Sequence, residues 1–150
     1  MRPPGLRIDW QKGGGVVLKK GIELFVLFVL GGAAYILVEI LWRQESHESM
    51  FVLGGLLFVL LGALNEGRFS GLSFPRQAVM GSAVITAFEL AAGLLLNVRM
   101  GLEVWDYADL PLNFMGQISL RYFLLWIPLS GVAIVLDDWL RGVLFGQEGE

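Results

Sequence analysis

Four apolar stretches, Ile22 to Trp42, Met50 to Leu64, Ala78 to Val98 and Ile118 to Val135, take up most of the chain and are parted by short polar segments. Crossing the ~30 Å hydrocarbon core of a bilayer takes about 20 helical residues. The first, third and fourth stretches reach or approach that length, and the second sits near the lower limit. Backbone N–H and C=O groups find no water in hydrocarbon, so each stretch has to be a helix. The expected fold is an all-α integral membrane protein with four transmembrane helices. A composition that is 55% hydrophobic and 17% charged agrees, being too apolar for a soluble domain of 150 residues. No internal repeat marks an inverted-repeat transporter within the chain.

Residues 1–21 are basic and rich in Gly and Pro, and read as a flexible cytoplasmic tail. Residues 22–146 read as the transmembrane domain and 147–150 as a short acidic tail. A basic lead before an apolar run resembles a signal peptide, but the run ends at Trp42-Arg43 with no small-x-small cleavage site, so it reads as a retained span. With the amino terminus inside, Arg2, Arg7, Lys12, Lys19, Lys20, Arg68, Arg76 and Arg141 are cytoplasmic, against Arg43, Arg99 and Arg121 outside. That asymmetry places both termini in the cytoplasm of a multi-pass cell-membrane protein. The segment Gly101 to Gly116 is too polar to span. It reads as an interfacial element on the outside, between the third and fourth helices.

Several classes of chemistry are excluded or unsupported. The chain has no Cys, so disulfides, thiolate nucleophiles and Cys-ligated metals are ruled out. A net charge of −3 and the lack of a basic stripe argue against nucleic acid. His47, between Glu45 and Glu48, lacks the further ligands a metal site needs. No nucleophile–base pair, metal motif or cofactor motif supports an enzyme.

Ionisable groups inside hydrocarbon cost roughly 2.5–3.5 kcal/mol on insertion scales, so they face the bundle interior or a wet cavity. Glu89 is near the middle of the third span, and Ser82, Thr86, Gly93 and Asn97 fall on the same face at helical spacing. Gly32, Tyr35, Glu39 and Arg43 form a comparable stripe on the first span, and Gln117, Arg121, Pro128 and Gly131 one on the fourth. Glu89 lies roughly 7 Å deeper than Arg121 by helical rise, within reach of an Arg side chain. The expectation is one outer-half cluster of Glu39, Glu89 and Arg121. A structural clamp is the competing reading, as is a Glu39 that snorkels to the headgroups. If all three converge, one carboxylate is left unbalanced and should take a proton or a cation. Gly55 and Gly62 of the second span read as close-packing positions. Asp137 to Arg141, like Asn65-Glu66, reads as membrane-boundary chemistry.

In the outer segment Trp105 and Tyr107 flank Asp106, Asp109 precedes Leu110-Pro111, and Asn113 comes before Gly116. Pro111 holds Leu110 out of helix, so a short turn re-entering the membrane is expected. An aromatic belt with turn-forming Asp and Asn accounts for the same residues. The run WDYADLPLNFMGQISLRYFLLW resembles a family of small bacterial membrane proteins catalogued as ABC-transporter permeases of type IV, the CmpB-like group. AYILVEILWR with Glu39, SMFVLGGLLFVLLGALNE and the third helix around Glu89 extend the resemblance over most of the chain. Where that family carries a Gly-Trp pair before the first acid and an N-R-G-F-L-x-G-P run after it, this chain has Gly32-Ala33 and HESMFVLGG.

The resemblance implies transport, yet no G-x-x-x-x-G-K-[ST] phosphate loop is present, so ATP hydrolysis would belong to another subunit. The leading expectation is a small permease-like or transport-associated protein. Its binding groups are Glu39, Glu89, Arg121, Tyr35, Thr86, Asn97, Trp105, Asp106, Tyr107 and Asn113. Four short spans enclose little volume, so a homodimer or a partner membrane subunit would complete a pathway. The alternative is a noncatalytic membrane scaffold or regulatory subunit.

Overall fold

The computed structural model describes residues 10–66 and 71–146. The first nine residues, Arg68 and the acidic 147–150 segment lie outside the described residues, as does the side chain of Asn65. Four helices carry the fold: α1 (Trp10–Arg43), α2 (Glu48–Glu66), α3 (Phe74–Gly93) and α4 (Leu120–Phe145). A π-helical turn, Leu94–Arg99, continues α3. A two-residue antiparallel ladder, β1 (Asn113–Phe114) on β2 (Ile118–Ser119), interrupts the segment before α4.

Three helical segments, Gly14–Arg43, Phe74–Arg99 and Leu120–Phe145, are long and apolar enough to cross a membrane, while the apolar part of α2 is the shorter Glu48–Leu64. Of the four transmembrane helices expected, three reach spanning length and apolarity, and the second, expected to sit near the lower limit, is the shorter one. Helix α1 starts at Trp10, ahead of the first apolar run, so residues 10–21 are helical. Propagating a helix costs far less than nucleating one, and the Gly run does not end it.

The helix ends have local causes. Pro75 occupies the first turn of α3, where its missing N–H costs nothing. Ser119 Oγ accepts the Tyr122 N–H at the start of α4, and Gly146, at φ 67°, closes that helix through its N–H to the Gly142 carbonyl. Pro128 lies inside α4. One turn before it, the Phe123 carbonyl accepts the Ser82 hydroxyl of α3 at 2.5 Å, and Ser130 Oγ donates to the Trp126 carbonyl at 2.6 Å.

Helices α1 and α2 form one antiparallel hairpin and α3 and α4 another, with α2 packed against all three others. Glycine notches set the α1–α2 distance. A Cβ on Gly32 would meet the Phe51 carbonyl oxygen at 2.5 Å, and one on Gly55 the Phe28 carbonyl oxygen at 2.5 Å. Gly31 and Gly54 accept Phe58 and Tyr35 in the same way. Gly62 instead faces the Asp137 carboxylate of α4, so the two glycines expected to share one packing face serve different neighbours.

The interior is built from Met50, Leu53, Leu57, Leu61 and Leu64 of α2 with Ile85, Ile134, Val104 and Trp105. Phe25, Leu41, Val98 and Val132 stay exposed around the periphery. Water would not tolerate so much exposed apolar surface, whereas lipid would.

Candidate functional site at the loop end of the bundle

The bundle has two ends: a loop end, with residues 44–47 and 100–119, and a terminal end, where residues 20, 66 and 141 meet. At the loop end, Glu89 is only 2% exposed. Its Oε2 accepts the Trp126 indole N–H at 2.9 Å, and its Oε1 lies 3.5 Å from the Tyr107 hydroxyl, at the limit of a hydrogen bond. Among the described residues no Lys, Arg or His forms an ion pair with it. Tyr35 stacks on Trp126 with ring centroids 6.2 Å apart, and Tyr107 on Tyr122 at 4.3 Å. Burial, and after it the Glu89 carboxylate, push the Tyr107 phenol well above its ordinary range, so it stays protonated and able to donate. One turn away on α3, Thr86 Oγ1 is buried without a hydrogen-bond partner.

Glu39 is also buried, and it has a cation. Arg43 Nη1 lies 3.1 Å from Glu39 Oε1, Ser46 Oγ donates to Oε2 at 2.6 Å, and Arg43 Nη2 donates to the Val104 carbonyl at 2.7 Å. Glu39 and Glu89 are close enough to interact electrostatically. The expected third member is not with them. Arg121 is exposed, and no ion pair joins it to either acid. The expectation matched depth along α4 but not rotation. Trp126 faces Glu89 of α3 and Tyr35 of α1, Tyr122 one turn before it stacks on Tyr107 of the cap, and Arg121 is turned about 100° from Tyr122 around the helix.

The interfacial segment is held from below by Asn97, which the π-helical turn places under it. Asn97 Oδ1 accepts the Val104 N–H at 2.7 Å, and its Nδ2 donates to the Trp105 carbonyl at 3.0 Å and to Gln117 Oε1 at 2.8 Å. Trp105 Nε1 donates to the Gln117 carbonyl at 2.9 Å. Asp106 Oδ1 accepts the Ala108 N–H at 2.8 Å; Asn113 donates to the Ala108 and Leu110 carbonyls and accepts the Gly116 N–H. These bonds close turns, so Asp106, Asn113 and Asn97 shape the cap over Glu89 while Tyr107 supplies its contact. Gly116 is required there, since at φ 68° its Cβ would also lie 2.6 Å from Asp106 Oδ1.

Beside the cap a recess of about 170 Å³ is lined by Glu39, Arg43, Glu45, Ser46, His47, Leu102, Glu103 and Val104. His47 is exposed and bonds Ser49 through Nδ1. Among the described residues no group of acids and histidines is arranged to hold a metal.

The terminal end holds a second cluster, built largely from residues that the sequence suggested were membrane-boundary groups. Arg141, 3% exposed, donates through Nε to Asp137 Oδ2 at 2.6 Å, pairs with Glu66 at 2.9 Å, and pairs with Glu23 through Nη1. Lys20 bridges Glu23 at 3.0 Å and Glu66 at 3.6 Å. Asp137 is 0% exposed and Glu23 4%. Instead of facing headgroups, Asp137 and Arg141 are sealed between α1, α2 and α4. The available signal was the four-residue spacing of Asp137 and Arg141, which places both on one helix face, together with Glu23 just inside the first apolar run.

Helices with apolar peripheries and ionic groups sealed between them define a multi-pass membrane helix bundle. The family described as "Putative ABC-transporter type IV" matches residues 22–140, and the chain belongs to it, as the WDYADLPLN segment led us to expect. No solved structure matches the chain.

Proposed function

We propose that this chain is a small transport-associated membrane subunit whose solute site is centred on Glu89. The observation that carries the reading is a carboxylate inside a membrane-crossing helix, 2% exposed and without a cationic partner among the described residues. A group kept only for packing would be paired, as Glu39 and Asp137 are. Membership of a transporter-type family supports the same direction. In this reading α2 is a fourth, short span, both termini are cytoplasmic, and the recess opens outward. The small enclosed volume calls for a second copy or a partner membrane subunit to complete a pathway, with any ATP hydrolysis residing in a separate protein.

In proteoliposomes, Glu89→Gln is expected to reduce solute flux at least tenfold while leaving the protein folded. Flux of every tested ion and solute equal to wild type would remove Glu89 from the pathway. The orientation has a clean test because the chain has no Cys. Gly71→Cys, where a Cβ meets nothing within 4 Å, should react with an impermeant maleimide only from the cytoplasmic side. Asp109→Cys, in the exposed cap, should react only from outside. Labelling of both from one side would overturn the four-span arrangement.

A further inference from the structure

We propose that the cap over Glu89 is seated in the membrane: its outward edge lies against the acyl chains of a phospholipid in the leaflet at the loop end, and the lipid phosphate sits on Arg121.

The short ladder of β1 and β2 has its polarity reversed. Successive residues of a strand point to opposite faces, and here the polar pair Asn113 and Ser119 turns inward. Ser119 is 4% exposed, and the Asn113 amide bonds the Ala108 and Leu110 carbonyls and the Gly116 N–H. The other face presents Phe114, 54% exposed. Leu112, whose carbonyl accepts the Leu120 N–H at 3.2 Å and so carries the pairing one residue further, is 75% exposed, and Leu120 is 45% exposed. A hairpin in water does the opposite, burying its apolar face and wetting its polar one. The display also takes unusual backbone: Leu112 has φ 55° and Met115 φ 52°, the left-handed region that such residues rarely adopt, and Met115 is exposed as well. Apolar side chains held outward in this way mark a contact surface.

Continuity and charge identify what lies against it. Leu120 opens α4, and Leu124, one turn on, is exposed on the periphery of that membrane-crossing helix, so the edge of the cap runs on into a surface that only lipid solvates. Arg121 is exposed beside Leu120 and lies one turn before the exposed Leu125 on the same side of α4. Among the described residues no ion pair joins it to another side chain. Helical side chains tilt toward the N-terminus, which for α4 is the loop end, so the guanidinium reaches away from the hydrocarbon toward the headgroups. There a phosphate is the bidentate acceptor that suits it. A cation above an apolar edge repeats the order of phosphate and chains in a phospholipid, whereas a water-soluble partner would give the apolar edge no reason to continue into a membrane helix.

Because the chain has no Cys, single cysteines can carry a nitroxide label. With the full chain in phosphatidylcholine vesicles, labels at Leu112→Cys and Phe114→Cys are expected to collide with dissolved oxygen in preference to an aqueous nickel chelate, as a label at Leu124→Cys should. A label at Asp109→Cys, exposed on the cap, should show the reverse. Adding Arg121→Glu, which sets a negative charge against the phosphate, should lower the oxygen preference of the Leu112→Cys label at least twofold. Preference for the nickel chelate at both edge positions would place the edge in water and overturn the proposal. Protection from both reagents would place it against protein, a second copy of the chain included, and overturn it equally. An unchanged ratio in Arg121→Glu would overturn the phosphate contact.

Discussion

Arg141→Met is expected to lower the stability of the bundle by about 3–5 kcal/mol, the usual cost of leaving a buried charge without its partner. Asp137 and Glu23 are almost wholly inaccessible, and the guanidinium bonds both. Its removal takes the cation from Asp137 and one of its cationic partners from Glu23, which keeps its pairing with the half-exposed Lys20. Gly62 lies against Asp137 so closely that the acid cannot swing into α2. The same reasoning predicts a rescue. Replacing the three buried groups together, as Glu23→Met/Asp137→Leu/Arg141→Met, removes the desolvation penalty along with the attraction, and should recover most of the loss. Reversible denaturant unfolding in mixed micelles measures both variants. A single variant within about 1 kcal/mol of wild type would show that the cluster does not hold the helix ends together.

Gly55→Leu should cost about 3 kcal/mol, at the upper end for overpacking, because the obstacle is main chain. A Cβ at that position would lie 2.5 Å from the Phe28 carbonyl oxygen and 2.8 Å from its ring. A flexible side chain could rotate aside, whereas a helix carbonyl cannot move without separating α1 from α2. That separation would also withdraw Tyr35 and Glu39 from the loop end, so ligand binding should fall with stability. Ala83→Leu, on an exposed face of α3, is the matched control and should leave both unchanged. Equal stability of the two variants in the same unfolding assay would mean that the glycine notches do not set the α1–α2 spacing.

The sites differed in how far they could be read from the chain. Glu89 stood out because a lone acid in the middle of an apolar run has few explanations, and Asn97 because it falls two turns further along the same face. The stripe Tyr35, Glu39 and Arg43 was visible as an i, i+4 pattern, and its ion pair is local to α1. Arg121 was misplaced because depth along a helix was weighed without its rotation about the axis. Asp137 and Arg141 were read as boundary groups, and Glu23 was passed over, for a related reason. Charges near the ends of apolar runs read as headgroup contacts, and nothing in one sequence shows that residues 118 positions apart share a bond.

By itself, the sequence determined that the chain is a membrane helix bundle of the ABC-transporter type IV family, where its apolar helices run, and that Glu89 would be buried. Those properties follow from hydropathy and from the backbone's need to bond to itself in lipid, both written locally along the chain. Only the tertiary structure decided which acids are neutralised. Arg43 takes Glu39, Arg141 takes Asp137 and Glu23, and Glu89 is left to an indole and a phenol. Charge pairing between helices depends on their rotation and closeness of approach, and here glycines and a proline set that geometry.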